Sequence, residues 1–183
     1  MRRWIFGALF TLLSVAPAFA DCTDEPCGSI QKILQARSGS FAKLKGKPAT
    51  DPRGDAMWEA TQTIPGLINY CYVYKSGESL RYEYRCDSSG LGATAPQSLE
   101  KAKQGAEKIK AAFQAADPKI RWFDDPAALA LAAIDGFQGT EGWYGGYATN
   151  KLMVKVKIAG SGSDSGTVGF TVFAKPITRR DLK

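Results

Sequence analysis

Any chemistry in this chain has to run without histidine, which is absent from all 183 residues. The usual general base near neutral pH and the usual imidazole metal ligand are therefore missing, which excludes serine–histidine and cysteine–histidine mechanisms. Carboxylates, lysines and four cysteines (Cys22, Cys27, Cys71, Cys86) remain. Asp124 and Asp125 are the nearest thing to a carboxylate pair, but Pro126 and an apolar run follow them, the pattern of a capped helix start. Glu59 and Glu83 have no partner identifiable from spacing. The cysteine spacings lack the close C-x-x-C pair of a zinc site. No metal, cofactor or catalytic motif is expected, and an enzyme built from these residues would use Asp or Glu as acid and base, as glycosidases do.

Residue types suited to binding are more evident. Tyr72 and Tyr74, with Tyr70, share one parity of an alternating segment, opposite Cys71 and Val73. A Gly-rich stretch over 137–147 holds Trp143, Tyr144 and Tyr147, where glycines let backbone approach a ligand and the rings offer flat, partly polar surfaces. These five aromatics are the candidate binding residues; the competing reading is that they cap the core beneath a sheet. A face of Lys101, Lys103, Lys108 and Lys110 could meet an acidic protein, lipid or glycan, against the simpler reading of a solvated helix surface. Gly160–Gly166 is followed by a strand rather than a helix, so it reads as a hairpin loop and not a phosphate cradle. Arg53-Gly54-Asp55 is too short a match to an adhesion tripeptide to carry weight.

The elements that must position these residues begin after residue 20. Arg2 and Arg3, the apolar run Trp4–Val15 and the closing Ala18-Phe19-Ala20 have the three parts of a cleavable secretory signal, leaving residues 21–183 as one domain with no transmembrane segment. Loss of the two arginines lowers the net charge from +6 by two, too mixed in sign to imply nucleic acid. Export to the periplasm or beyond favours oxidised cysteines. The expected pairing is Cys22–Cys27 with Cys71–Cys86; the alternative ties both N-terminal cysteines to the strands.

Periodicity predicts a helix from Ser29, a loop over 45–66 and a tyrosine hairpin over 67–87. A helix follows from Pro96 to Asp117, then a short helix over 127–134 and a hairpin of 152–158 with 167–175. The fold class is α+β: a mainly antiparallel sheet of two hairpins with helices on one face, in the order α-β-β-α-α-β-β. The functional expectation is an exported protein-binding module, inhibitor or immunity-like, with a protein partner in the cell envelope or outside the cell. The alternative is an envelope glycan-binding or carboxylate-dependent glycan-processing protein that stacks sugar on Trp143 and Tyr144.

Overall fold

A computed structural model describes residues 22, 24–51, 53–68, 70–77, 81–88, 97–133, 139–147, 151–160 and 164–177. The expected signal over residues 1–20 lies outside them. Helix α1 spans Cys27–Ala36 and is followed by strands β1 (Lys45–Thr50), β2 (Ala56–Ala60), β3 (Tyr70–Lys75) and β4 (Tyr82–Asp87). A two-residue strand β5 (Gln97–Ser98) leads into helix α2 (Leu99–Ala116). Strand β6 (Arg121–Asp124), helix α3 (Pro126–Ala132) and strands β7 (Glu141–Gly146), β8 (Leu152–Gly160) and β9 (Ser165–Ile177) complete the described chain. The sheet is antiparallel in the order β1-β2-β3-β4-β9-β8-β7-β6, with β5 paired to β9. The class is thus α+β, but the two expected hairpins are the inner parts of two four-stranded meanders joined along β4 and β9. Each meander follows a helix, α1 before β1 and α2 before β6, and α3 interrupts the second between β6 and β7.

The structure departs from the sequence expectation in several places, with β5 and β6 as strands that were not expected. The stretch 45–66 holds two strands rather than one long loop: Pro48 lies on β1, the sheet's edge, beside a register irregularity between Lys45 and Pro48, a place where proline is tolerated. The glycine-rich stretch contributes β7, because its glycines admit close neighbours. A Cβ on Gly145 would meet the Trp122 ring at 2.8 Å, and one on Gly142 would meet the Ala128 Cβ at 2.9 Å. Ser29 does not cap α1; it is buried within the helix's first turn, and its hydroxyl accepts from Gln62 Nε2 at 2.9 Å. Caps appear where Ser98 accepts from the Lys101 N–H and Asp125 from the Ala127 N–H.

Alternation decides which residues enter the core. Val73, Tyr84, Cys86, Val154, Val156, Ile158, Val168, Phe170 and Val172 face α1 and α2, and all are buried in one cluster with Ile30, Ile33, Ile109 and Phe113. Phe113 meets Phe170 edge-on at 5.3 Å and Trp122 at 6.4 Å. The α1 helix ends at Ala36, and Ser40 and Phe41 turn through left-handed backbone, yet Phe41 returns to the core beside Tyr84. Helices were expected on one face only. Instead α3 packs on the opposite side of β7, since Ala128 lies over Gly142, whose cross-strand partner Lys157 points away from the core.

Both expected disulfides are present, Cys22–Cys27 and Cys71–Cys86, and the second joins residues directly opposite on β3 and β4. The bridges close segments of 5 and 15 residues. Replacing Cys71 and Cys86 by alanine is therefore expected to lower the unfolding free energy by about 3 kcal/mol, and replacing Cys22 and Cys27 by about 2 kcal/mol. Denaturant unfolding of the two double variants checks the order, and a larger loss at the N-terminal bridge would contradict the loop-entropy account.

Candidate functional site

The face of the sheet turned away from α1 and α2 carries the best-formed candidate site. Cross-strand register lines up Glu59, Tyr72, Arg85, Thr171, Lys155 and Tyr144 in one row. The next row holds Tyr70, Asp87, Gly169, Lys157 and Gly142. Between β4 and β8 these rows border a trough of about 270 Å³, lined by Arg85, Asp87, Lys155, Lys157, Thr167 and Thr171, largely through the apolar parts of its lining residues. Gly169 forms the floor, where a Cβ would meet the Cys86 carbonyl at 2.8 Å. A second hollow, of about 420 Å³, lies beside α1, but residues 32–44 alone wall it and it gathers no groups distant in sequence.

The five aromatics singled out from the sequence do not converge. Tyr72 lies on the outer face, half-buried between Glu59 and Arg85, and burial followed by the nearby Glu59 charge raises its pKa. Tyr74 is on the same face but only 4 % exposed; its hydroxyl donates to Asp55 and the Arg85 guanidinium covers its ring at 4.0 Å. Tyr144 is also on this side and buried, with its hydroxyl accepting from Lys155 Nζ at 3.2 Å. Trp143 faces the opposite way, beneath Lys110 at 4.0 Å. Tyr147 is exposed at the end of β7 and donates to Asp117 at 2.7 Å.

The carboxylates have structural work. Asp125 caps α3 with one oxygen and binds Lys155 at 2.7 Å with the other. Burial alone would lower the Lys155 pKa, but its hydrogen bonds to Asp125 and Tyr144 outweigh that and raise it, so the ammonium stays charged. Glu83 holds Arg85 at 2.6 Å. Asp55, from the adhesion-like tripeptide, accepts from the Tyr74 hydroxyl and from the Gly77 N–H, which ties the β1–β2 turn to β3. On the lysine face of α2, Lys103 binds Glu141 and Lys110 binds Glu107, leaving Lys101 and Lys108 as its exposed members.

Sequence reasoning missed Arg85, Asp87, Lys155, Lys157, Thr167 and Thr171 as site residues, and noted Tyr70 only for its shared parity with Tyr72 and Tyr74. Their signal was present: each alternates with buried Val, Tyr, Cys or Phe on its strand, which assigns it to the outer face. Among the described residues no helix is long and apolar enough to cross a membrane, and no group of metal-type ligands converges. No family model, curated protein or solved structure matches the chain.

Two of these tyrosines make a titration prediction. Tyr74 is pushed up to about 12, first by its hydrogen bond to Asp55 and then by burial. Tyr147 is also pushed up to about 12, by burial first and then by Asp117. The folded chain thus keeps protons that the unfolded chain loses near pH 10. That contribution is complete below about pH 10 and is lost as pH climbs to about 12. Unfolding free energy is expected to fall across this window, with a shallower slope in Tyr74→Phe; an unchanged slope in that variant would remove Tyr74 from the account.

Proposed function

We propose that this chain is an exported protein-binding module that meets its partner through the outer face of the sheet. The observation that carries the reading is the row from Tyr72 to Arg85 with Tyr70 beside it. Tyr70 is 46 % exposed, and Arg85 is locked over Tyr74 by Glu83. Tyrosine and arginine dominate binding hot spots, because each presents a large contact surface together with hydrogen-bonding groups. Rigid placement on paired strands limits the ordering cost of association. Two disulfides are compatible with an oxidising compartment, which supports export.

The glycan reading draws less support from this arrangement. Neighbours in a strand point to opposite faces, so Trp143 and Tyr144 do not make one stacking platform. Two of the carboxylates it could use as acid and base, Asp125 and Glu83, are held in a helix cap and in ion pairs.

Photo-crosslinking in the exporting cell tests the proposal. A benzophenone side chain placed at position 70 or 72 is expected to give one discrete protein adduct, and one at Gln104 on the exposed side of α2 to give none. Tyr72→Ala, with its thermal unfolding unchanged, is expected to weaken the purified complex at least about tenfold. Equal adducts from position 104, or none from 70 and 72, would move the interface off this face.

A further inference from the structure

The excess positive charge of the chain is concentrated in one stretch. Residues 26–50 carry Lys32, Arg37, Lys43, Lys45 and Lys47 and no acid, more than the whole net charge left once Arg2 and Arg3 are gone. Four of these cations gather where α1 ends and two short turns, Arg37–Gly39 and Ala42–Leu44, lead into β1. Arg37 donates to the Phe173 carbonyl, and Lys45 lies over the rings of Trp58 and Tyr82. Both are held by neutral groups, so neither charge is cancelled. Lys75 approaches the same Tyr82 ring at 5.8 Å. Lys32 and Lys43 are exposed and form no ion pair among the described residues. Asp24 and Glu25 precede the other end of α1, and Asp117 is buried, its carboxylate taken by the Tyr147 hydroxyl. Between Lys32 and Lys43 opens the hollow of about 420 Å³, largely apolar, with Ala36, Gly39, Ala42 and Leu44 in its lining. A soluble polyanion has no apolar part to place in such a hollow, whereas an anionic amphiphile has both a charge for the lysines and a hydrocarbon for the space between them.

We infer that this corner seats the chain on an anionic phospholipid surface, with Lys32 and Lys43 at headgroup phosphates and the hollow over the first methylenes of an acyl chain. Each lysine brought to an anionic leaflet adds about fivefold in affinity, and apolar contact adds to the attraction. Arg37, Lys45 and Lys75 do not need to touch lipid; their uncancelled charge raises the local potential that draws the surface in. Ile30 and Ile33 turn the buried side of α1 toward the sheet, so its Lys32 side faces away from it. A bilayer there leaves the outer face of the sheet open. The inference is therefore independent of the reading of that face as a protein interface, and the two surfaces are compatible.

The test uses the oxidised chain recovered from the exporting cell, its start at residue 21 checked by mass, and vesicles of phosphatidylcholine with or without phosphatidylglycerol. Sedimentation is expected to carry the chain down with the anionic vesicles and leave it in solution with the neutral ones. Raising salt to about 0.15 M is expected to weaken the binding several-fold. The double variant Lys32→Gln, Lys43→Gln is expected to bind at least about tenfold more weakly. Lys101→Gln with Lys108→Gln removes the same charge from the exposed side of α2 and is expected to cost less than about twofold, both variants keeping their thermal unfolding. In bicelles with a nitroxide near the glycerol end of the acyl chain, the amide resonances of Ala36, Gly39, Ala42 and Leu44 are expected to broaden and that of Thr171 to stay sharp. Equal binding to neutral vesicles, equal losses in the two double variants, or binding without that broadening would overturn the inference. Release from anionic vesicles by polyglutamate or by a sulfated oligosaccharide at matched charge would also overturn it and give the corner to an acidic polymer. A partner cross-linked from positions 70 and 72 with no vesicle binding would leave the protein interface standing and remove only the lipid surface.

Discussion

The contact of α2 with β8 and β9 is the constraint on which the other features depend. Ala102, Ala106, Ile109, Phe113 and Ala116 recur at helical spacing and are buried against the sheet. The small residues let the helix come close: a Cβ on Gly105 would meet Val168 Cγ1 at 3.1 Å. A glycine inside a helix costs about 1 kcal/mol relative to alanine, which close packing over a long helix readily offsets. Because α1 and α2 cover only one face, each central strand sends its apolar residues that way. Polar residues and glycine predominate on the other side, apart from the buried pair Met57 and Tyr74 and a small second cluster of Tyr144, Leu152 and Phe173. The charged rows of the outer face are thus a consequence of one-sided burial.

The two halves solve the problem of their flanks in the same way. The second strand of each meander carries a tryptophan facing the helices, Trp58 on β2 and Trp143 on β7, and a lysine ammonium covers each. Lys45 lies 3.8 Å from the Trp58 ring centre and 4.0 Å from that of Tyr82, and Lys110 lies 4.0 Å from Trp143. The lysine stem covers apolar surface while its charged end meets the ring face, an attraction of about 0.5–2 kcal/mol. These contacts seal the core where the helix layer ends. They also explain why Trp143, conspicuous in the sequence, serves packing in this fold, and why Lys110 on the lysine face is only partly a solvent charge.

Elements with a strong period were legible in the sequence. The alternation of Tyr70–Lys75 and Tyr82–Asp87 gave the central hairpin, and the cysteine positions matched its register, since Cys71 and Cys86 are cross-strand partners. The long helix was legible because five small or apolar residues recur on one face before the stop at Asp117-Pro118. The strands β1, β2 and β7 were not, and for different reasons. Edge strands tolerate Pro48 because half their backbone groups face solvent, so a breaker there reports position rather than loop. The glycines of β7 weaken any propensity argument, and their reason lies in neighbours far along the chain, Trp122 and Ala128. Site residues were harder still, because aromatic content drew notice to Trp143 and Tyr144 while strand parity, the better guide, separated them.

Parity also explains what kind of surface the outer face can be. A wide sheet face left apolar would pair with copies of itself or with unfolded chains, and charged groups spread across the rows oppose that. Charge alone, however, gives little affinity when each ion is free to move in water. Here the ions are not free: Glu83 and Asp125 hold Arg85 and Lys155 from below, and the rings of Tyr74 and Tyr144 lie against them. Buried acids therefore do two things at once. They offset the cost of placing cations on a strand face, and they hold those cations against the neighbouring Tyr74 and Tyr144 rings. The spacing of these held ions across β4, β9 and β8 is set by the sheet's hydrogen-bond ladder, and the core under α2 keeps it from changing.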